Sequence, residues 1–204
     1  MKLKMQYSDI NRYLESTNIV DFAETPEILH LANDIAVQSK DEISLIKAAF
    51  EYVRDNINHS ADIQGKTVTC KASEVLHAKE GICYAKAHLL AAILRTNHVP
   101  TGLCYQRIIL DDASAPYLVL HGFNAVYVKS IKKWIRLDAR GNKTGVNAQF
   151  SLEKEQLAFP VRACMGEEDI PIIFAYPDTN IVNALEKYKQ LNLLWDNLPA
   201  VLAT

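Results

Sequence analysis

The chain has 204 residues, with 22 Lys and Arg against 24 Asp and Glu, a formal charge of −2. Hydrophobic residues make up 49% and charged residues 23%, a globular balance that excludes disorder, collagen and coiled coil. The near-neutral charge carries no nucleic-acid footprint, and no run of 18 apolar residues offers a membrane span.

The first half carries helix signals. Thr25-Pro26-Glu27 reads as a cap, a proline at the first helical position and an acidic first turn. Ile43, Ile46, Phe50, Val53 and Ile57 recur every three or four residues on one helical face, with Asp41 as the N-cap. A long helix follows from about Gly81 to Asn97, with Leu89, Leu90, Ile93 and Leu94 inward, ended by His98-Val99-Pro100.

Beyond Pro100 the runs Leu103–Leu110, Leu118–Val128 and Lys133–Leu137 are β-branched and aromatic and of strand length. Lys129 to Lys132 is a hairpin-length connection, and Asn183 to Leu194 reads as an amphipathic terminal helix. Helices followed by an antiparallel meander define an α+β class. With no linker or repeat, the expectation is one domain over residues 1–204.

Four cysteines stand at 70, 83, 104 and 164, with no C-x-x-C pair and no metal-ligand spacing. The amino end lacks the apolar stretch of a signal peptide, so a reduced, cytoplasmic protein with free thiols is expected. Ser60-Ala-Asp-Ile-Gln-Gly65-Lys66-Thr67 fails as a phosphate loop, because Ser60 replaces the first glycine and a helix precedes it. There is no G-x-S-x-G elbow and no H-E-x-x-H helix.

Cys83 stands out because it follows Gly81 at the start of the long helical run. Unpaired N–H groups and the positive dipole end favour a thiolate there and can receive an oxyanion. A buried structural cysteine would fit the same position. The downstream pair separates the two readings. His121 lies in the second strand and Asp138 ends the third, so a hairpin around 129–132 makes them cross-strand neighbours. A thiol, an imidazole and a carboxylate in these places form a Cys-His-Asp set. His88 lies five residues beyond Cys83, about 140° around the helix, and reads as a packing or surface residue. Cys104 reads as core, Cys164 has no visible partner, and Gln64 is a candidate side-chain donor to an oxyanion.

These residues resemble the transglutaminase-like superfamily of papain-type cysteine enzymes. Ala72-Ser73-Glu74-Val75-Leu76 leading into GICYAKAHLLAAILRTNHVPTGLCY is similar to its nucleophile helix and following strand. His121-Gly-Phe-Asn-Ala-Val-Tyr-Val128 is similar to its histidine strand, and Trp134-Ile-Arg-Leu-Asp138 to its aspartate strand. The resemblance covers about 59–143 and implies a papain-like, transglutaminase-type core packing the nucleophile helix on an antiparallel meander. It implies Cys83 as nucleophile, His121 as base and acid, and Asp138 as the orienting residue, with no cofactor and no metal. Many members carry an aromatic-acidic pattern after the histidine, where this chain has Gly122-Phe123-Asn124-Ala125. The polar loop Ala139 to Lys143 is placed to shape the site, and flanks 1–40 and 145–204 to cover or narrow it. The expected activity is hydrolysis of a peptide or other amide through a thioester. The alternatives are a transamidase, an acyltransferase, or a binding module on the same fold.

Overall fold

The computed structural model describes residues 2–111, 113 and 115–203. In chain order it forms β1 (Lys4–Met5), α1 (Pro26–Gln38), α2 (Glu42–Asn56), β2 (Asn58–His59), α3 (Ala72–Ala78), β3 (Glu80–Gly81) and α4 (Cys83–Thr96). Then come β4 (Thr101–Asp111), β5 (Ala115–Val128), β6 (Lys133–Leu137), β7 (Glu168–Asp169), β8 (Ile172–Ile173), α5 (Thr179–Lys187) and α6 (Leu191–Trp195). The sheet runs β6-β5-β4-β7, antiparallel throughout, so the expected α+β order holds. Short 3-10 turns occupy Ile10–Leu14, Lys129–Ile131 and Ala163–Met165.

Local chemistry sets the helix starts. Asp41 accepts from the Ser44 amide at 2.7 Å and the Ser44 hydroxyl returns to the Asp41 amide at 2.9 Å, a reciprocal cap that opens α2. Thr25 precedes Pro26 as expected, but its hydroxyl donates to the Asp21 carbonyl instead of capping the helix. The long helix begins at Cys83 and not at Gly81, because Glu80 and Gly81 pair in parallel with Asn58 and His59. That two-residue ladder holds the chain extended up to the residue before the thiol.

Helix α4 is the centre of the molecule. Every residue from Tyr84 to Arg95 is buried, with α1, α2 and α3 on one side and β4 and β5 on the other. A helix with apolar surface all round is a buried helix, and the polar residues on it are satisfied internally. Arg95 donates to the carbonyls of Thr101 (3.0 and 2.8 Å), Ala175 (2.7 Å) and Glu15 (2.8 Å). Lys86 donates to the carbonyls of Ile57 and, at 3.4 Å, Arg54. His88 is buried too, its Nδ1 2.8 Å from the Cys70 carbonyl, so it packs rather than faces solvent.

The expected terminal helix is broken. Gln190 forms a bridge with Thr67, and the Leu191 amide donates to the Lys66 carbonyl at 3.2 Å. Pinning the backbone there separates α5 from α6, so tertiary pairing overrides the helical period. Leu191 and Leu194 are core.

Contact between α4 and β5 requires Gly122. A Cβ at that position would stand 2.6 Å from Cδ1 of Tyr84, a fully buried ring. The Gly122→Ala variant is expected to lose about 1–3 kcal/mol of stability through this overlap, read as a lower urea midpoint with an unchanged slope.

Candidate functional site

Cys83 is the first residue of α4, with Ile82 before it in extended conformation and no side chain capping the helix end. The first-turn amides are left without intrahelical acceptors, and Cys83 is half-buried in the wall of a cleft of about 450 Å³. His121 lines the same cleft. It sits on β5 opposite Gln106 of β4.

The ladder between β5 and β6 ends at Asn124 and Leu137. Asp138 therefore follows the last pair and reaches His121 diagonally, as same-face side chains two residues out of register can. His121 Nε2 donates to Asp138 Oδ2 at 2.8 Å, which leaves Nδ1 for the thiol. Asp138 is buried, and it also accepts from the Arg140 amide at 3.1 Å and the Ala158 amide at 3.0 Å. Phe123 stacks on the imidazole at 5.9 Å and Phe159 meets it edge-on at 5.0 Å. These contacts fix both the tilt and the tautomer of the ring.

The electrostatics follow from burial and pairing. Burial opposes a charge on His121, but the Asp138 carboxylate and the hydrogen-bonding proximity of Cys83 outweigh it and lift the imidazole to about 10. Burial likewise works against the Asp138 charge, and the His121 ring with the two amides holds it below the ordinary carboxylate value. The structure thus brings together the three side chains that the sequence singled out. The other thiols differ. Burial pushes Cys70 and Cys104 up to about 12, while Cys164 is exposed.

Arg140 and Lys143 of the loop expected to shape the site line the cleft, whereas His59 and Asp62 were not legible in sequence. His59 lines it from β2. Beside it, Asp62 accepts from Arg140 at 2.9 Å and from Lys143 at 2.7 Å. Burial would raise the Asp62 carboxyl, but these two cations bring it to about 2. The cleft is also lined by apolar residues, among them Ile82, Leu120, Phe159, Trp195 and Leu198. The last three come from the carboxyl-terminal flank, whose Pro199 carbonyl accepts from the Leu120 amide at 2.7 Å. That flank does narrow the cleft, whereas residues 1–40 do not line it. Gln64 is an exposed turn residue at φ 54° and does not line the cleft either. Among the described residues no three His, Cys, Asp or Glu side chains gather as a metal site, and no helix is long and apolar enough to cross a membrane.

The raised imidazole has a consequence for pH. A histidine raised on folding adds stability that is complete below its ordinary value of 6.5 and is lost as pH climbs through about 10. NMR titration of His121 should show protonation persisting well above pH 6.5. Replacing Asp138 with Asn should lower that midpoint by at least about one unit, since the carboxylate supplies the leading favourable interaction. A wild-type midpoint near 6.5 would contradict this.

A family model described as the transglutaminase-like superfamily matches residues 29–139, just over half of the chain. Among curated proteins no sequence matches. Among solved structures, a candidate cysteine protease from Cytophaga hutchinsonii aligns with TM-score 0.52 and 20% identity, over 66% of this chain and 43% of its own. The periplasmic domain of TgpA from Pseudomonas aeruginosa aligns with TM-score 0.48 and 16% identity, over 64% and 46%. A TGase aligns with TM-score 0.45 and 18% identity, over 89% and 53%. The chain thus spans about half or less of each of these structures, and the first likeness supports the fold.

Proposed function

The chain belongs to the transglutaminase-like superfamily, and we propose that within it the protein is a thiol-dependent amide hydrolase with Cys83 as nucleophile, His121 as base and acid, and Asp138 as orienting group. The observation that carries this reading is the meeting, in one cleft, of a thiol at the start of a buried helix with a hydrogen-bonded imidazole–carboxylate pair.

In the proposed reaction the thiol proton already resides on His121, the raised imidazole, so that the site starts as a thiolate–imidazolium pair. The sulfur adds to the amide carbonyl carbon, and the oxygen becomes an oxyanion next to the free amides of the α4 first turn. The intermediate collapses by breaking the C–N bond, while His121 returns its proton to the departing amine. Water then adds to the thioester with loss of a proton to His121, and the acid leaves as the C–S bond breaks. Asp138 stays ionised and holds the ring so that one nitrogen always faces the sulfur. Hydrolysis of a peptide or similar amide is favoured over transfer because water reaches an open thioester, whereas transfer needs a site for a second substrate.

The reading is tested without knowing the substrate. At neutral pH iodoacetamide should alkylate Cys83 at least about tenfold faster than exposed Cys164, with Cys70 and Cys104 protected by burial. The advantage should vanish in His121→Ala. Against any amide that proves to be turned over, Cys83→Ala should cost on the order of 10⁴-fold or more, and His121→Ala nearly as much, because such groups act as a unit. Uniform, slow alkylation of all four thiols would instead favour a binding module.

A further inference from the structure

Among the described residues of the cleft, one buried imidazole has a ring nitrogen without a hydrogen-bond partner and no part in the reaction as written so far. His59 is only 7% exposed. Its Nδ1 is buried without a hydrogen-bond partner, and its ring lines the cleft that holds Cys83 and His121. Its backbone is held by the β2–β3 ladder: His59 pairs with Gly81, the Asn58 amide donates to the Lys79 carbonyl at 2.9 Å, and the Ser60 amide to the Gly81 carbonyl at 3.2 Å. Gly81 is two residues before the thiol. The ring is therefore carried on the same backbone unit that sets where Cys83 begins its helix.

We propose that His59 is the side-chain donor of the oxyanion site, its Nε2–H polarising the carbonyl that Cys83 attacks alongside the α4 amides. This rests on the thiol-enzyme reading above and adds a residue to it.

The position of the ring proton follows from the neighbours. Among the described residues, the only carboxylate within 4.0 Å of Nδ1 is Asp62, at 3.9 Å, beyond hydrogen-bond length. Both Asp62 oxygens are already engaged by Arg140, and Oδ1 by Lys143 as well. A buried N–H with no acceptor is rarer and costlier than a buried lone pair, so the proton belongs on Nε2, the nitrogen left to the cleft. Burial first, and then the Arg140 charge, hold His59 well below the ordinary histidine value. The ring is thus a neutral donor at neutral pH, leaving His121 as the only acid–base imidazole of the site. Its N–H is preorganised, since ladder and burial already fix the ring before any substrate arrives.

Two reagents separate this role from a structural one. Acylation of Cys83 by p-nitrophenyl acetate passes through an oxyanion, whereas alkylation by iodoacetamide does not. Both are read at Cys83 by peptide mass spectrometry on the full chain. The His59→Phe variant keeps a buried ring without the donor. It should slow acylation on the order of 10²–10³-fold and leave alkylation at the wild-type rate. His59→Gln restores an N–H at about the same reach and should recover most of the lost acylation rate.

Wild-type acylation in His59→Phe would overturn the proposal. Equal slowing of both reagents would do the same, because it would assign His59 to holding the thiol–imidazole pair. If Cys83 of the wild-type protein took up neither reagent faster than Cys164, the thiol-enzyme reading itself would fall, a result distinct from the other two.

Discussion

The architecture depends on the complete burial of α4. A twelve-residue stretch, Tyr84 to Arg95, has no solvent-facing side, so each polar group on it must find a protein partner or destabilise the fold. Arg95 gathers three segments through their carbonyls, Lys86 ties the helix to the end of α2, and His88 holds the Cys70 carbonyl. Asn124 of β5 donates to the Ala87 carbonyl at 2.9 Å and fastens the sheet to the same helix. Burial lowers Lys86 to about 7 and His88 to about 4. Because the helix is immobilised on all sides, its first residue is placed with equal firmness.

The site is assembled from ends rather than from middles. Cys83 stands at a helix start, Asp138 just past a strand end, and His59 on a two-residue strand. Only His121 lies inside a long strand. Each end is tied to another part of the chain: β2 pairs with β3, the Ala158 amide binds Asp138, and Pro199 binds the β5 edge beside His121. The carboxyl-terminal flank, outside the matched family region, thus completes both the carboxylate's surroundings and the apolar wall. Chemistry proposed for the family-like core would in this chain take place inside a pocket finished by its own flank.

The cleft mixes charged and apolar lining. The Asp62 carboxylate is bound by Arg140 and Lys143, and the Arg140 guanidinium lies over the Phe159 ring at 5.9 Å. Phe159 in turn meets the His121 imidazole edge-on at 5.0 Å, so one aromatic ring links the ion pair to the imidazole. A low-dielectric lining strengthens the hydrogen bonds made within it.

What was readable in sequence was whatever depends on local order. Apolar period located α2, the capping residue Asp41 started it, β-branched runs marked β4 to β6, and the spacing of Cys83, His121 and Asp138 on those elements gave the constellation. The register of the hairpin, which the sequence left open to within a few positions, puts Asp138 on a diagonal from His121. The break between α5 and α6 came from a bridge to Thr67, a residue more than a hundred positions away. His59 had no signal at all, since a lone histidine before a failed phosphate loop looks like any other. Its place was decided by a parallel pairing between two dipeptides and by burial against Arg140 and Asp62. Local propensity, periodicity and helix-end chemistry act over a few residues, so the sequence by itself determined the main helices and strands of the core and which three side chains to set side by side. Parallel pairing, ion pairs across loops and the closing of the cleft join residues that share no local signal, so only the tertiary structure decided which groups surround the thiol.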